Sequence, residues 1–314
     1  MLRSLRNLRS WWDFPRRHQI PDEGLVIDVG CGHMPNMRAN ILADKFLVDD
    51  AERHQPLALD ERPFIVCDAL HLPFQNSSVD YIICSHLAEH MEEPEALFVE
   101  LTRVAHAGYI ECPARMREIL HGWEFHRWYV EVHDDKLIFE EKTRQIHDLE
   151  LHEWFSQRFE NDPIFENFFV DNMERFNLVA AYDWVEHVNY EIHRSANGAW
   201  SRTAAKLETS APVSTQELSD QLNRVPLHSP SRNERIKKIL AKIARRKSDP
   251  LTAKRLRSIL CCPKCKGQLE DVSGGLACGP CRATFPVVGN VHYLVPEQVA
   301  GWEPELLTEV VPAH

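Results

Sequence analysis

The sequence predicts an α/β protein built on a parallel sheet, followed by a small cysteine-rich module. Three observations carry this. Short apolar runs recur through the first 115 residues, each closing on or close to a glycine or polar residue: GLVIDVG from Gly24, NILADKFLVDD from Asn40, PFIVCDA from Pro63, VDYIICS from Val79 and AGYIECP from Ala107. Between the last two, HLAEHMEEPEALFVELTRVAHA places Leu97, Leu101 and Val104 at helical spacing. Strands separated by helical or loop segments imply a parallel sheet. Near the other end, Cys262/Cys265 and Cys278/Cys281 form two C-x-x-C units across twelve residues.

Composition agrees with a globular chain. At 314 residues and 44% hydrophobic, it has room for one sizeable core and a smaller domain. No run of 18 apolar residues exists, and MLRSLRNLRSWWDFPRRH breaks every apolar group with Arg or Asn, so neither a spanning helix nor a secretory signal is expected. A cytoplasmic location follows as an expectation, since nine Cys, an odd number, suit a reducing compartment with a metal site better than a disulfide framework. The net charge of -11 is divided: residues 231–314 hold 14 Lys and Arg against 8 Asp and Glu, leaving -17 on residues 1–230. The expected organisation is a basic N-terminal segment over 1–20, a catalytic domain over 21–195, a linker with a basic amphipathic helix over 196–255, a cysteine domain over 256–300 and a tail over 301–314.

The strand ends carry the polar residues, which is where parallel sheets bind ligands. Asp28, Gly30 and Gly32 follow strand one, Asp44 closes strand two, Asp68 strand three, and Ser85 with His86 strand four. Glycines there permit a tight turn and close backbone approach. Four polar strand ends in register point to a nucleotide-like cofactor.

VIDVGCG, CDALHLPF and VDYIICSHLAEHMEEP together resemble class I S-adenosylmethionine-dependent methyltransferases of the type 11-like group, over residues 22–115. The resemblance implies a Rossmann-like sheet with helices on both faces. It also implies S-adenosylmethionine as cofactor, held by Asp28, Gly30, Cys31, Gly32, Asp44, Asp68, Ala69, Ser85 and His86. Within that set it puts Asp28 near the methionyl amine, Asp44 on the ribose, Asp68 on the adenine amine and Ser85 with His86 beside the sulfonium. One departure stands out. Only eleven residues separate Gly32 from Asp44, so the first crossover helix is expected to shrink to a turn or two near Pro35, with Asp49 and Asp50 as the fallback for Asp44.

Methyl transfer from a sulfonium is an in-line displacement whose rate comes from alignment and exclusion of water, with a base needed only for a poorly ionised acceptor. The candidate bases are His86, His90, Glu111 and His126. Glu89 and His90 could instead cap or solvate the following helix. EILHGWEFHRWYVEV gathers His121, Trp123, His126 and Trp128, which suit either an acceptor pocket or the packing of a hairpin, RWYVEVHDDKLIFEE, turning at Asp134 and Asp135. FENFFVDNMERFNLVAAYDWVEHVNYEIHR, with its alternation from Val179 to Ile192, is expected to supply closing strands.

Two C-x-x-C units at this spacing predict one structural zinc on Cys262, Cys265, Cys278 and Cys281, a closed four-thiolate site. Cys261 is a spare fifth thiol, and so small a segment draws most of its folding energy from the metal. ILCCPKCKGQLEDVSGGLACGPCRATFPVVGNVHYLVPE resembles the small zinc-ribbon protein that activates tRNA, rRNA and release-factor methyltransferases, over residues 256–297. This implies docking in cis on an apolar or strand-edge surface. The acidic catalytic domain and the Trp/His segment favour a small-molecule or glycan acceptor. The ribbon and the basic stretch 231–258 keep nucleic acid or protein open, and IKKILAKIARR with the basic N-terminus keeps peripheral membrane contact open. The acceptor, the atom methylated and the oligomeric state are not legible.

Overall fold

The computed structural model describes residues 17–49, 52–53, 55–143, 149–173, 175–195, 213–225 and 255–296. The core is a five-stranded parallel sheet: β1 (Val26–Val29), β2 (Ile41–Asp44), β3 (Phe64–Val66), β4 (Tyr81–Ser85) and β5 (Ala107–Pro113). Their spatial order is β3-β2-β1-β4-β5, so the order reverses between β1 and β4 and opens a crevice at the carboxyl ends. Strands β1 to β4 are almost wholly buried, which is why they read as continuous apolar runs. β8 (Val179–Val185) closes the sheet antiparallel to β5. No helix among the described residues is long and apolar enough to cross a membrane.

The two faces are covered differently. On one, α1 (Pro94–Val104) packs Leu97, Leu101 and Val104 against Ile27, Ile65, Ile82 and Ile110, beside the hairpin β6 (Trp128–His133) and β7 (Lys136–Glu141). On the other, Leu218 of α5 (Thr215–Arg224) and Ile20 share a core with Val26, Leu42, Phe64 and Ile83. α5 starts at a complete capping box between Ser214 and Glu217. The expectation of a shortened first crossover holds: turns alone lead from β1 to β2. Arg62 fills the space, its Nη1 donating to the carbonyls of Asn36 (2.6 Å) and Ala39 (3.1 Å).

The cysteine module is a meander of β10 (Leu269–Val272), β11 (Gly275–Cys278), β12 (Thr284–Val288) and β13 (Val291–Tyr293). It docks on the strand edge as expected. β13 pairs parallel with β3, Val291 opposite Phe64 and Tyr293 opposite Val66, so that one ten-stranded sheet runs through both domains. The Cys261 amide donates to Pro73 O (2.9 Å), the Gln75 amide to Ile259 O (2.8 Å), and Lys266 Nζ pairs with Glu100 (3.1 Å). Leu260, Leu276 and Phe285 belong to the same core as Ile27 and Leu97. The module therefore draws stability from the sheet and core that it joins. Of the basic stretch, residues 231–254 lie outside the described residues, as do 1–16, 297–314 and Asp50. Arg255 does pair with Asp80 at 2.8 Å.

One segment differs from expectation. Phe165 to Asp171, expected to be closing strand, belongs to α4 (Pro163–Asp171), which follows α3 (Leu149–Asn161). Asp162 caps it, accepting from the amides of Ile164 and Phe165, with Pro163 preset in the first turn. Phe165 and Phe169 then pack on Phe155. The alternating run splits as well: β8 joins the main sheet, whereas β9 (Tyr190–His193) pairs with β7 in a separate three-stranded sheet. The hairpin turn does sit at Asp134 and Asp135, both left-handed (φ 48° and 59°).

Candidate active site and metal centre

The glycine loop is held by its neighbours. Gly30 and Gly32 have φ of 74° and 50°, a conformation other residues rarely adopt. A Cβ on Gly30 would press on Leu87 at 3.0 Å, while at Gly32 no atom stands closer than Arg53 Cδ at 3.8 Å. Asp44 accepts from the amides of Gly32 (2.9 Å) and Phe46 (3.2 Å), with Arg53 Nη1 at 3.5 Å. Despite the missing crossover helix, Asp44 therefore sits against the loop, while Asp49 is exposed. Asp68 accepts from the Leu70 amide and pairs with Lys45 at 2.6 Å. Asp28 is buried and accepts from the Asn36 amide (2.6 Å); burial raises its pKa to about 6 against the pull of that hydrogen bond. Ala69 is buried in the 3-10 turn that follows Asp68. Cys31 points away from the crevice, its thiol in the core shared by Leu47 and Leu57 and its amide bonded to Ala43 O. Its contribution to a ligand is thus confined to backbone shape. The open glycine loop and three carboxylates at adjacent strand ends fit the implied cofactor, with Arg53 and Lys45 as the cations now paired with Asp44 and Asp68.

The four candidate bases converge, and they do so around Glu89, for which capping or solvating the next helix was the alternative to a direct role. Glu89 is 0% exposed. It neither caps α1, where the N-cap is Glu93 without a side-chain bond, nor meets water. His86 Nδ1 lies 3.4 Å from Glu89 and its Nε2 3.2 Å from Glu111, while the His90 and His126 rings meet edge-on at 4.6 Å. Burial alone would lower the His86 pKa, but its contacts with Glu111 and Glu89 raise it to about 9. Those same contacts lower both glutamates against their burial. The contacts with Glu111 and Glu89 thus favour the protonated form of His86. His86 also holds φ 56°, a strained value for a non-glycine residue, secured by its amide on Glu111 O (2.7 Å). With Glu89 and Glu111 ionised, the trio without a bound ion carries net negative charge.

Sequence reasoning missed the roof. Glu118 on α2 (Arg115–His121) receives His126 Nδ1 at 2.7 Å and Lys142 Nζ. Arg117 stacks on Trp123, 5.5 Å from the ring centre. Only the helical offset from Arg115 and the hairpin register bring these together, so no short motif announces them. The Trp/His segment divides: Trp128 is core, its Nε1 donating to Met91 O (2.7 Å), and His121 stacks on Trp123 at 4.1 Å.

Both C-x-x-C units fold alike. The amides of Lys266 and Arg282 donate to Cys262 O and Cys278 O (3.0 and 2.8 Å), and both residues are left-handed (φ 56° and 58°). The four sulfurs lie within 4.8 Å of one another, Cys265 and Cys278 at 3.5 Å. Tetrahedral zinc with Zn–S near 2.3 Å requires sulfurs about 3.8 Å apart, so the residues fit a closed structural site. Cys261 stays outside it, buried towards the catalytic domain.

Residues 27–110 match the family of the methyltransferase domain, and residues 253–290 match the Trm112p-like protein family. The chain joins a methyltransferase domain to a Trm112p-like domain. The first implies S-adenosylmethionine as cofactor, and the four clustered cysteines of the second suit a structural zinc. Among solved structures, a complex of the Haloferax volcanii Trm112 methyltransferase activator with a methyltransferase is 16% identical over 57% of this chain and 94% of that one (TM-score 0.33). A methyltransferase structure from Bacillus halodurans is 15% identical over 33% of this chain and 51% of its own (TM-score 0.26). Coclaurine N-methyltransferase bound to S-adenosylhomocysteine is 18% identical over 34% of this chain and 36% of its own (TM-score 0.27). The chain thus spans about half or less of the length of the latter two. No curated protein is similar in sequence.

Proposed function

We propose that this chain transfers a methyl group from S-adenosylmethionine to a small polar or glycan- or lipid-linked acceptor, with the Trm112p-like domain as its built-in structural support. The observation that carries this reading is the roofed cluster of His86, Glu89, Glu111 and His126 at the carboxyl ends of β4 and β5. The donor's sulfonium supplies the methyl group. Asp28 takes the ammonium, Asp44 the ribose hydroxyls and Asp68 the adenine amine. His86, paired to Glu111 and Glu89, positions the acceptor by donating a hydrogen bond. α2, the hairpin and the buried Glu118–Lys142 pair exclude water, and a roof of this kind favours a small acceptor group over an extended polymer. A second reading, transfer to RNA or protein, is favoured by the Trm112p-like match alone; no N-P-P-Y follows β4, where SHLAEH stands instead.

Calorimetry with S-adenosylhomocysteine tests the proposal: one site per chain is expected, weakened by about 1.5–3 kcal/mol in Asp68→Ala through loss of a charge-assisted hydrogen bond. No binding by the intact chain would end the methyltransferase reading.

The Asp28 carboxyl gives a pH test. With its pKa raised to about 6, Asp28 is ionised above that pH and neutral below it. Affinity for S-adenosylhomocysteine should therefore fall as pH drops below about 6, by up to tenfold per unit. Asp28→Asn should be weak throughout and flat over this range. The same raised pKa means that Asp28 takes stability from the fold as pH rises from 3.8 through 6, since the folded state binds the proton more tightly. An unchanged slope in the Asn variant would remove Asp28 from the amine site.

A further inference from the structure

We infer that Glu89, His90 and His126 form a binding site for one divalent transition-metal ion, separate from the four-cysteine site. One ligand atom from each of the three lies within 4.8 Å of the others, a separation that a small closure brings to the roughly 3–4 Å edge of a metal polyhedron. Two further observations point to a ligand.

Glu89 is wholly buried, its Oε1 ion-paired with His86 at 3.4 Å, and among the described residues neither carboxylate oxygen meets a donor in hydrogen-bond geometry. Buried carboxylates are otherwise bonded or bound to metal. Each histidine, moreover, is already oriented by a carboxylate on its Nδ1: His126 by Glu118 at 2.7 Å, His90 by Glu52 at 3.1 Å. An Nδ1–H held in this way leaves Nε2 with its lone pair free, the carboxylate–histidine–metal arrangement that fixes ring and tautomer. Lys142 is bonded to Glu118, and Arg117 lies over Trp123 with Glu111 and Glu89 as its charged neighbours.

Two imidazoles and one carboxylate suit zinc or ferrous iron, and not the all-oxygen shell of calcium or magnesium. Three protein ligands leave coordination positions open. The site lies on the 3-10 turn Ala88–His90 directly after β4. If the proposed function holds, the open positions face the acceptor and take its oxygen. The metal site itself does not depend on that reading.

The test uses Co2+ alone, with no methyl donor, on the full-length chain. A first equivalent should show the thiolate charge-transfer bands of the four-cysteine site. A second should show weak ligand-field bands without thiolate character. His90→Ala and His126→Ala should each lose the second equivalent and keep the first, and Glu118→Gln should weaken the second by about 10- to 100-fold. His90 is part-exposed, so its variant keeps the test valid if the buried His126 variant fails to fold. A single equivalent in the wild-type chain, or a second one that persists in His90→Ala, overturns the site. Because donor binding is not measured, failure here leaves the S-adenosylhomocysteine result untouched.

Discussion

A chain ending before Arg255 should aggregate. β3 would lose its neighbour β13 and stand as an open edge, with the Phe64 amide no longer bonded to Asn290 O (2.9 Å) and Val66 O no longer bonded to the Leu294 amide (2.8 Å). Open edges of this kind recruit other chains. The apolar loss is larger still. Leu256, Ile259, Leu260, Val291, Leu294 and Val295 are all at most 6% exposed. Removing them uncovers the apolar surface of the catalytic domain that shares their cores, and exposed apolar patches of this kind drive association. Light scattering after size exclusion is the measurement. A monodisperse, soluble truncation would mean that the Trm112p-like domain serves an outside partner rather than this sheet.

Cys262→Ser combined with Cys278→Ser should remove one zinc per chain and unfold the knuckles. A structural four-cysteine site contributes on the order of 10 kcal/mol to the folding of a small module, because its ligands have no preformed geometry without the ion. The shared core changes what is lost. Hydrogen-exchange protection should disappear over residues 262–282, where the left-handed Lys266 and Arg282 depend on the metal. It should survive in part at β13, which is held by β3 and by Leu294 in the common core. Zinc content and exchange measured on the same sample decide the matter. Full protection of the knuckles in a zinc-free chain would contradict the structural role, and complete loss at β13 would show that docking contributes nothing without zinc.

The sequence by itself determined the parts whose signals are local. Strands buried on both faces read as VIDV, FIV and YIICS because each residue of a parallel strand meets a packed layer. The polar residues at or near strand ends, Asp28, Asp44, Asp68 and His86, were legible because parallel sheets of this kind gather polar groups at their carboxyl edge. Two C-x-x-C units at fixed spacing announce their chemistry whatever surrounds them. Residues 163–171 misled because Phe, Val and Asn suit either strand or helix; Asp162 as cap and the aromatic partner Phe155 decided for helix.

Only the tertiary structure decided the rest. In LAEH, Glu89 reads equally as a helix cap or a site residue, and its burial is decided only because the chain turns after β4 beneath the roof of residues 115–142. Glu118, Lys142 and Arg117 join that roof through helix offset and strand register, which no single motif encodes. The ribbon's partner was foreseeable as a strand edge, but which edge depends on the order of the whole sheet. β3 is free because β2 occupies its other side, and pairing there lets one hydrophobic core run through both domains.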